Sequence, residues 1–486
     1  MALYGGIELP GKPDLDNVRR LDVLPIPMVM DMMRYGFAVD REHLRRVGSE
    51  LGREMAELRA EICSYIPVEK LDEFIHRSNL DADDTYLPMN VDSNVQLAEL
   101  LYRVLGVGNG KVLKRTKGGG QVSTGRRQLE QLKAEHPVVQ KCLDYRERAK
   151  LKNTYCDALP ELARLHPRGG CWCGLTHECE TWRVHTQLLL TRTTTGRPAS
   201  KNPNLQNISV RSKWGAEIRR GFVASPGTVL VSVDFAQIEL RILAMVSSAV
   251  KLIETFQTDG DPHMTTAMEA FGITDPDKVD KIMHRAPAKN VNFAVVYGES
   301  AKGLLEQLTS DTYGKAGLPV PDWLTLEWCE QFIAKWFEIY PEVREYIEKQ
   351  HYRARRYGLV WDQVGRIRRI PEVRSVHNRV VAAGLRQASN MPIQGFASEL
   401  LKLAMAEVHT EVVRVVRDAG VWCQPLVPVH DELVLEVDEG WGETVMGLVV
   451  GVFEGVLRDK GTGEEWEGGG GVPVKADGKV MGRWEK

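Results

Sequence analysis

Two aspartates stand where apolar, β-branched segments end or turn. Asp234 closes TVLVSVD (228–234), and Asp431 lies inside WCQPLVPVHDELVLEV (422–437). They are 431 − 234 = 197 residues apart, so only the fold can bring them together. A buried carboxylate is costly unless a cation or a metal answers it. At adjacent strand ends the two would hold two Mg²⁺ ions, with waters and substrate phosphates completing the octahedra. That apparatus suits in-line phosphoryl transfer, one ion activating the attacking oxygen and the other steadying the leaving group. Taken singly, each reads first as an ordinary strand-end aspartate.

A second feature tips that balance. Arg285, Lys289, Phe293 and Tyr297 recur at four-residue spacing, which places them along one face of a helix. A face that is cationic at its start and aromatic further on suits a nucleoside triphosphate: the cations meet phosphates, the rings meet sugar and base. The competing reading is an amphipathic core helix with solvated cations. A third cluster, Cys171, Cys173, His177 and Cys179, packs three thiols and an imidazole into nine residues. These are the ligand types of a structural Zn²⁺ site, although so short a span makes a cramped tetrahedron. A redox pair or idle thiols remain alternatives.

The elements that must position these groups can be traced along the chain. Residues 26–66 carry apolar residues at helical spacing, interrupted at Gly36, with Asp40 as a helix start. The acidic segment NLDADDTYLPMN follows, then a loop rich in Gly and cations (GNGKVLKRTKGGGQVSTGRR). That loop reads equally as a linker or as a phosphate-gripping segment. Helix returns over 137–165, and TGRPASKNPNLQNI (195–208) is too rich in Pro, Asn and Gly for a regular element. Helical patterns fill 238–310 and 324–357, between the strand at 228–234 and a strand pair about the His430-Asp431-Glu432 turn. The fold class is therefore α+β, with a discontinuous central domain.

Composition sets outer limits. The 486 residues carry 63 Lys+Arg against 66 Asp+Glu, a net charge of -3. This excludes a protein that is basic all over but leaves room for a local basic groove. No apolar run is long enough to cross a membrane, the start shows no signal peptide, and eight cysteines are too few for a disulfide framework. A reducing, cytoplasmic location is the expectation.

Seven segments in order resemble the family A DNA polymerases, of the bacterial DNA polymerase I and phage kind. They are YRERAKLKNTY, TGRPASKNPNLQNI, VDFAQIELR (233–241), RAPAKNVNFAVVYG (285–298), GRIRRIP, QASNMPIQGFASELLKLAM and VHDELVLEV (429–437). The resemblance implies a right-hand polymerase fold with an antiparallel-sheet palm and helical fingers and thumb. An N-terminal palm-entry segment would be 1–35, the thumb 36–157, the fingers 236–389, and the palm 158–235 with 390–486. It further implies a DNA polymerase that extends a primer 3′-OH with dNTPs on primer-template DNA. The chain would act as a monomer, beside separate replication proteins.

Residue by residue, the resemblance gives Asp234 and Asp431 to two Mg²⁺ ions, with Glu432 in support. Arg285 and Lys289 grip the triphosphate, and Lys289 donates a proton to pyrophosphate. Phe293 packs near the sugar, and its lack of a hydroxyl disfavours 2′,3′-dideoxynucleotides. Glu239 is the steric gate against ribonucleotides, with Gln237 beside it, and Tyr297 stacks at the insertion site. Arg197, Asn204, Gln206, Asn390, Gln394 and His430 contact template and primer near the terminus. Lys150 and Lys152 meet primer phosphates.

Departures from the family pattern are equally specific. Phe235 and Ala236 stand where the family usually has Tyr and Ser, and Ala294 stands for a family Gly that faces the templating base. Pro287 falls at the start of the nucleotide-binding helix and would make that helix begin later, moving Arg285. The segment CWCGLTHECETW (171–182) has no family counterpart. LYGGIELP, which in this family follows a proofreading domain, begins at residue 3. No 3′→5′ proofreading is therefore expected, whether the chain is exonuclease-free by nature or a piece of a longer one. A single-subunit RNA polymerase and a catalytically dead DNA-binding subunit are the competing functions; Glu239 opposes the first, and the joint presence of Asp234, Asp431, Arg285 and Lys289 opposes the second.

Overall fold

The computed structural model describes residues 3–77, 89–116, 120–167, 169–170, 176–177, 180–209, 212–314 and 318–485. They form two compact units. The first comprises Met1–Gly36, His185–Gln206 and Ala224–Gly482; the second comprises Phe37–Val184, Asn207–Val223 and Arg483–Lys486. Among the described residues no helix is long and apolar enough to cross a membrane.

At the heart of the first unit is a four-stranded antiparallel sheet. Its strands are β1 (Thr228–Phe235), β2 (Cys423–Val429), β3 (Glu432–Asp438) and β4 (Ala476–Met481), in the spatial order β2-β3-β1-β4. Central β1 and β3 are nearly unbroken apolar runs, and Leu230, Val231, Val233, Leu433, Val434 and Leu435 are fully buried. Pro425 and Pro428, which cannot donate to a ladder, fall on β2, an edge strand with a bulge between Pro425 and Val427. A tight turn links β2 to β3, with His430 in the left-handed region at φ 57°. The hairpin read from the sequence is therefore present.

Helices complete this unit: α1 (Ile238–Ser247), α2 (Pro262–Phe271), α3 (Ala286–Tyr297), α4 (Pro341–Tyr357), α5 (Asn378–Glu407) and α6 (Gly442–Glu454). Helix α6 covers one face of the sheet so closely that a Cβ on Gly478 would lie 2.6 Å from Met446 Cγ. Gly478 is registered with Val233, so Asp234, the next residue along the pleat, points to the other face. Beside α2 and α3, Asn292 is a buried hub. It bonds Thr266 Oγ1 at 3.0 Å, Trp336 Nε1 at 2.6 Å and His263 Nδ1 at 2.9 Å. The stretch 195–208, read as irregular, contains one short strand, Ala199–Lys201, paired with Gln187–Leu189. Its side chains do not alternate in polarity, so the pairing left no pattern to read.

The second unit is a helical body with a small sheet. Its long helix Arg41–Ser64 starts at Asp40, whose carboxylate accepts the His43 amide at 2.9 Å, as the sequence suggested. Ile62, Leu97, Leu100, Leu129, Val138 and Tyr145 share its core. Glu54 accepts from Arg148 Nε at 2.6 Å and Trp214 Nε1 at 3.1 Å, and these two donors hold its carboxyl below the usual range against the opposing pull of burial.

Candidate active site

The register of the sheet brings the two aspartates into one neighbourhood. Glu432, directly after Asp431, lies opposite Asp234 across the β3–β1 ladder, and the Phe235 amide donates to the Asp431 carbonyl at 3.2 Å. Residues directly opposite one another share a sheet face. Asp234 is thus flanked by Glu432 on one side and by Asp477 of β4 on the other. Glu432 is buried and accepts from Ser232 Oγ at 2.6 Å. The partly exposed Asp431 carboxylate receives Arg197 Nη2 at 3.4 Å.

Arg197 ties this carboxylate pair to the first turn of α1. Its Nη2 also donates to Glu239 Oε1 at 2.8 Å, and the other oxygen of Glu239 accepts the Tyr297 hydroxyl at 2.5 Å. Burial works against the Arg197 charge, but Asp431 and Glu239 outweigh it and hold its pKa above the ordinary value. Burial, reinforced by the Glu239 carboxylate, pushes the Tyr297 phenol upward and keeps it neutral. The result is a linked set, Asp431, Arg197, Glu239 and Tyr297, drawn from four separate segments.

The stripe expected on one helix is present. The Phe293 and Tyr297 rings stack with centroids 6.5 Å apart at 21°, and Lys289 is exposed. The shift expected from Pro287 does not occur. Helix α3 starts at Ala286, Pro287 occupies the first turn, where no intrahelical donor is needed, and Arg285 closes a π-helical turn running from Lys281. Arg285 donates Nε to Asp261 Oδ2 at 2.6 Å. Despite burial, Arg285 and the His263 amide hold the Asp261 carboxyl below its usual range. His263 packs against Phe293 with centroids 5.6 Å apart, and burial, aided by the Arg285 and Lys289 charges, pulls its pKa down to about 4. The imidazole is thus neutral at physiological pH.

Asp261 and His263 were not singled out from the sequence. The signal was there in GDPH (260–263), an Asp N-cap followed by Pro at N1, but its partner Arg285 lies far along the chain. Asp477 went unnoticed because β4 is polar and exposed along most of its length.

The remaining expected residues fall in two groups. Asn390 Nδ2 donates to the Tyr297 carbonyl at 3.2 Å, while its buried Oδ1 has no hydrogen-bond partner among the described residues. Gln394 stands one turn further on α5. Asn204 and Gln206 brace their own loop: Gln206 accepts from the Ser200 amide and donates to the Pro428 carbonyl at 2.8 Å. Gln237 is the exposed left-handed residue before α1, and His430 is exposed in the β2–β3 turn. Lys150 and Lys152 belong to the second unit, Lys150 exposed and Lys152 paired with Asp157 at 2.7 Å. Cys171, Cys173 and Cys179 lie outside the described residues, and His177 is described only as backbone in a two-residue strand opposite Gly169–Gly170.

The donor set bears on the metal. Among the described residues no group of three or more His, Cys, Asp or Glu side chains gathers as a cage. Asp234 and Asp431 instead offer hard carboxylate oxygens at one end of the sheet. That matches the mode in which Mg²⁺ takes one or two carboxylates and completes its shell with water and substrate phosphates.

Gly298 closes α3 in the left-handed region at φ 63°, where a Cβ would lie 2.8 Å from Arg386 Cγ. Gly298→Ala is expected to lower stability by about 1–2 kcal/mol from the backbone strain alone, read as a drop in Tm. An unchanged Tm would show that α3 can end differently.

An antiparallel sheet with two aspartates at adjoining strand ends, linked through Arg197 and Glu239 to a helix striped with cations and stacked rings, forms the candidate site. The chain belongs to DNA polymerase family A, whose sequence model matches residues 41–486. It is 37% identical over 438 residues to the thermostable DNA polymerase I of Thermus aquaticus, covering 89% of this chain and 46% of that protein. It is 36% identical over 454 residues to DNA polymerase I of Chloroflexus aurantiacus, covering 93% of this chain and 42% of that one. The chain thus spans less than half the length of these relatives. The fold matches the POL domain of Pol1 from M. smegmatis, solved in complex with DNA primer-template and dNTP. The TM-score is 0.73 at 28% identity, over 96% of this chain and 72% of that one.

Proposed function

We propose that this chain is a template-directed DNA polymerase that adds deoxynucleotides to a primer 3′-OH by two-metal phosphoryl transfer, without 3′→5′ proofreading, in replication or repair. The observation that carries the reading is the β1–β3 register, which sets Asp234 beside the Asp431 turn, itself tied through Arg197 to Glu239 and Tyr297. On this reading 36–157 is the thumb, 236–389 the fingers, and 158–235 with 390–486 the palm.

Asp234 and Asp431 would hold the magnesium. When bound, it supplies charge neutralisation at the phosphates and a more acidic 3′-OH. The chain's own residues do the rest. Arg285 exchanges Asp261 for triphosphate oxygens, a swap of one anion for another that leaves its charge paired throughout. Exposed Lys289 holds a proton within reach of the departing pyrophosphate. Glu239, pinned from both sides, cannot yield to a ribose 2′-OH and so selects deoxynucleotides, with Gln237 beside it. Phe293 packs the sugar and Tyr297 stacks at the insertion site. Arg197, Asn204, Gln206, Asn390, Gln394 and His430 face the primer-template terminus, and the orphaned Asn390 Oδ1 suits a minor-groove donor. Lys150 and Lys152 meet primer phosphates.

Primer extension with Mg²⁺, with dNTPs and rNTPs in parallel and with a mismatched primer, tests the whole reading. The expected result is dNTP incorporation, little rNTP incorporation and no shortening of the mismatched primer. Ribonucleotide incorporation at a comparable rate would reassign the chain as an RNA polymerase, and primer shortening would refute the absence of proofreading. Ala294, 2% exposed, adds a methyl where the family has none. Ala294→Gly is expected to change mispair extension, and equal misinsertion and extension rates for the two proteins would sink that idea.

A further inference from the structure

Away from the carboxylate pair, α5 carries two charged side chains that see no solvent, Glu399 and Lys402. Arg366 donates Nε to Glu399 Oε1, and its Nη2 reaches Asp22 Oδ1 at 2.6 Å; Lys402 Nζ meets the same Asp22 oxygen at 2.6 Å. Two cations and two anions balance. A third carboxylate, Asp362, joins them at the start of the turn between strands Leu359–Trp361 and Ile367–Arg369. It is 2% exposed, and its Oδ1 accepts the Gly365 and Arg366 amides at 3.0 and 2.9 Å.

Two carboxylate oxygens in this cluster lack a hydrogen bond. Asp362 Oδ2 and Glu399 Oε2 are both buried, and neither has a hydrogen-bond partner among the described residues, although Lys402 Nζ stands 3.6 Å from Glu399 Oε2. Their placement is informative. A Cβ on Gly395 would lie 2.8 Å from Asp362 Oδ2, so the aspartate rests on bare α5 backbone at that point. Glu399 stands one turn later on the same face, and helical side chains lean back toward the N-terminus. Glu399 therefore leans toward the spot that Asp362 Oδ2 occupies.

We propose that Asp362 keeps its proton at neutral pH and donates it from Oδ2 to Oε2 of Glu399, an acid–carboxylate pair that latches this hairpin to α5. The proton gives both oxygens a hydrogen bond, where two ionised carboxylates side by side would repel. It also preserves the charge balance. Facing Asp362 from its own hairpin is Arg366, from α5 Glu399 with Lys402 beyond it, and from helix Leu15–Val23 Asp22. On the remaining side is a cavity of 390 Å³ whose α4 wall presents Glu342, Glu345, Lys349 and Arg353, again two of each sign. Among these groups no cation is left over for a fifth anion. Burial, reinforced by the Glu399 charge, raises the Asp362 carboxyl to about 8 against the opposing amides of Arg366 and Gly365. Gly196 presses on the same cluster, with a Cβ there only 2.6 Å from Glu399 Oε1. The latch thus sits one residue from Arg197.

The folded chain would hold this proton to about pH 8, whereas an unfolded aspartate releases it near 3.8. Stability from the latch is full at low pH and is lost as pH rises through the folded value. Tm measured from pH 6 to 9.5 is expected to fall by several degrees more in the wild type than in Asp362→Asn, whose amide donates to Glu399 at every pH. Superimposable profiles overturn the proposal. Should Asp362→Asn not fold, infrared difference spectra of the wild type and Glu399→Gln decide. The wild type is expected to show a protonated carboxyl band that titrates near pH 8, and Glu399→Gln to shift that titration to lower pH. Absence of the band at pH 7, or a titration unmoved by Glu399→Gln, overturns it. None of these readouts depends on polymerase activity.

Discussion

Asp431→Ala is expected to abolish primer extension while leaving the fold intact. If Asp431 holds magnesium as proposed, its loss would remove several kcal/mol of transition-state charge stabilisation, on the order of 10³-fold or more in rate. The fold survives because Asp431 holds the sheet through its backbone: its carbonyl receives the Phe235 amide whatever side chain it bears. Arg197 loses one counter-charge but keeps Glu239 at 2.8 Å. The two readings are therefore separable, a collapse in single-turnover rate beside a Tm within a degree or two of the wild type. Retention of more than a tenth of the rate would remove Asp431 from the chemistry. A collapsed Tm would mean that the side chain supports the turn after all.

Lys289→Ala carries the second largest expectation. Lys289 is exposed on the α3 stripe, so its truncation leaves no buried hole and no orphaned partner. General-acid assistance contributes about 10²–10⁴-fold, and a loss of that size in kcat is expected. The apparent dNTP affinity should fall much less, because on the proposed function Arg285 would still grip the phosphates. Lys289→Arg should keep affinity but recover only part of kcat, since a guanidinium gives up its proton far less readily than an ammonium. A variant in which KM rises and kcat stands still would make Lys289 a grip and nothing more.

Much of this site could be read from residue types because its parts are local signals. Asp234 ends an apolar run, Asp431 follows a left-handed His430 between two such runs, and the α3 stripe is a four-residue period. Each survives as a string of letters. What could not be read depends on pairings between distant segments. Asp261 looks like any N-cap until Arg285 arrives 24 residues later, and Glu239 reveals its two tethers only when Arg197 and Tyr297 converge on it. Arg366 and Lys402 look like surface cations in a polar stretch and an amphipathic helix, yet Lys402 is fully buried. Pro287 differs in kind: it sits in the first turn of α3, where its missing donor costs nothing, and the π-turn from Lys281 carries the helical path through Arg285.

The strand order has a consequence for when this chemistry can exist at all. Strand β1 is completed early, but both of its neighbours, β3 and β4, are encoded after all of the helices from α1 to α5. During synthesis Asp234 therefore waits, with its edges bare, until residues 432–438 and 476–481 have left the ribosome and paired. Such distant pairings are slow to form. A chain interrupted before residue 431 would carry α3 and Asp234 without the second aspartate. On the proposed function, competence would arrive late, and such an unfinished copy would be inert instead of error-prone.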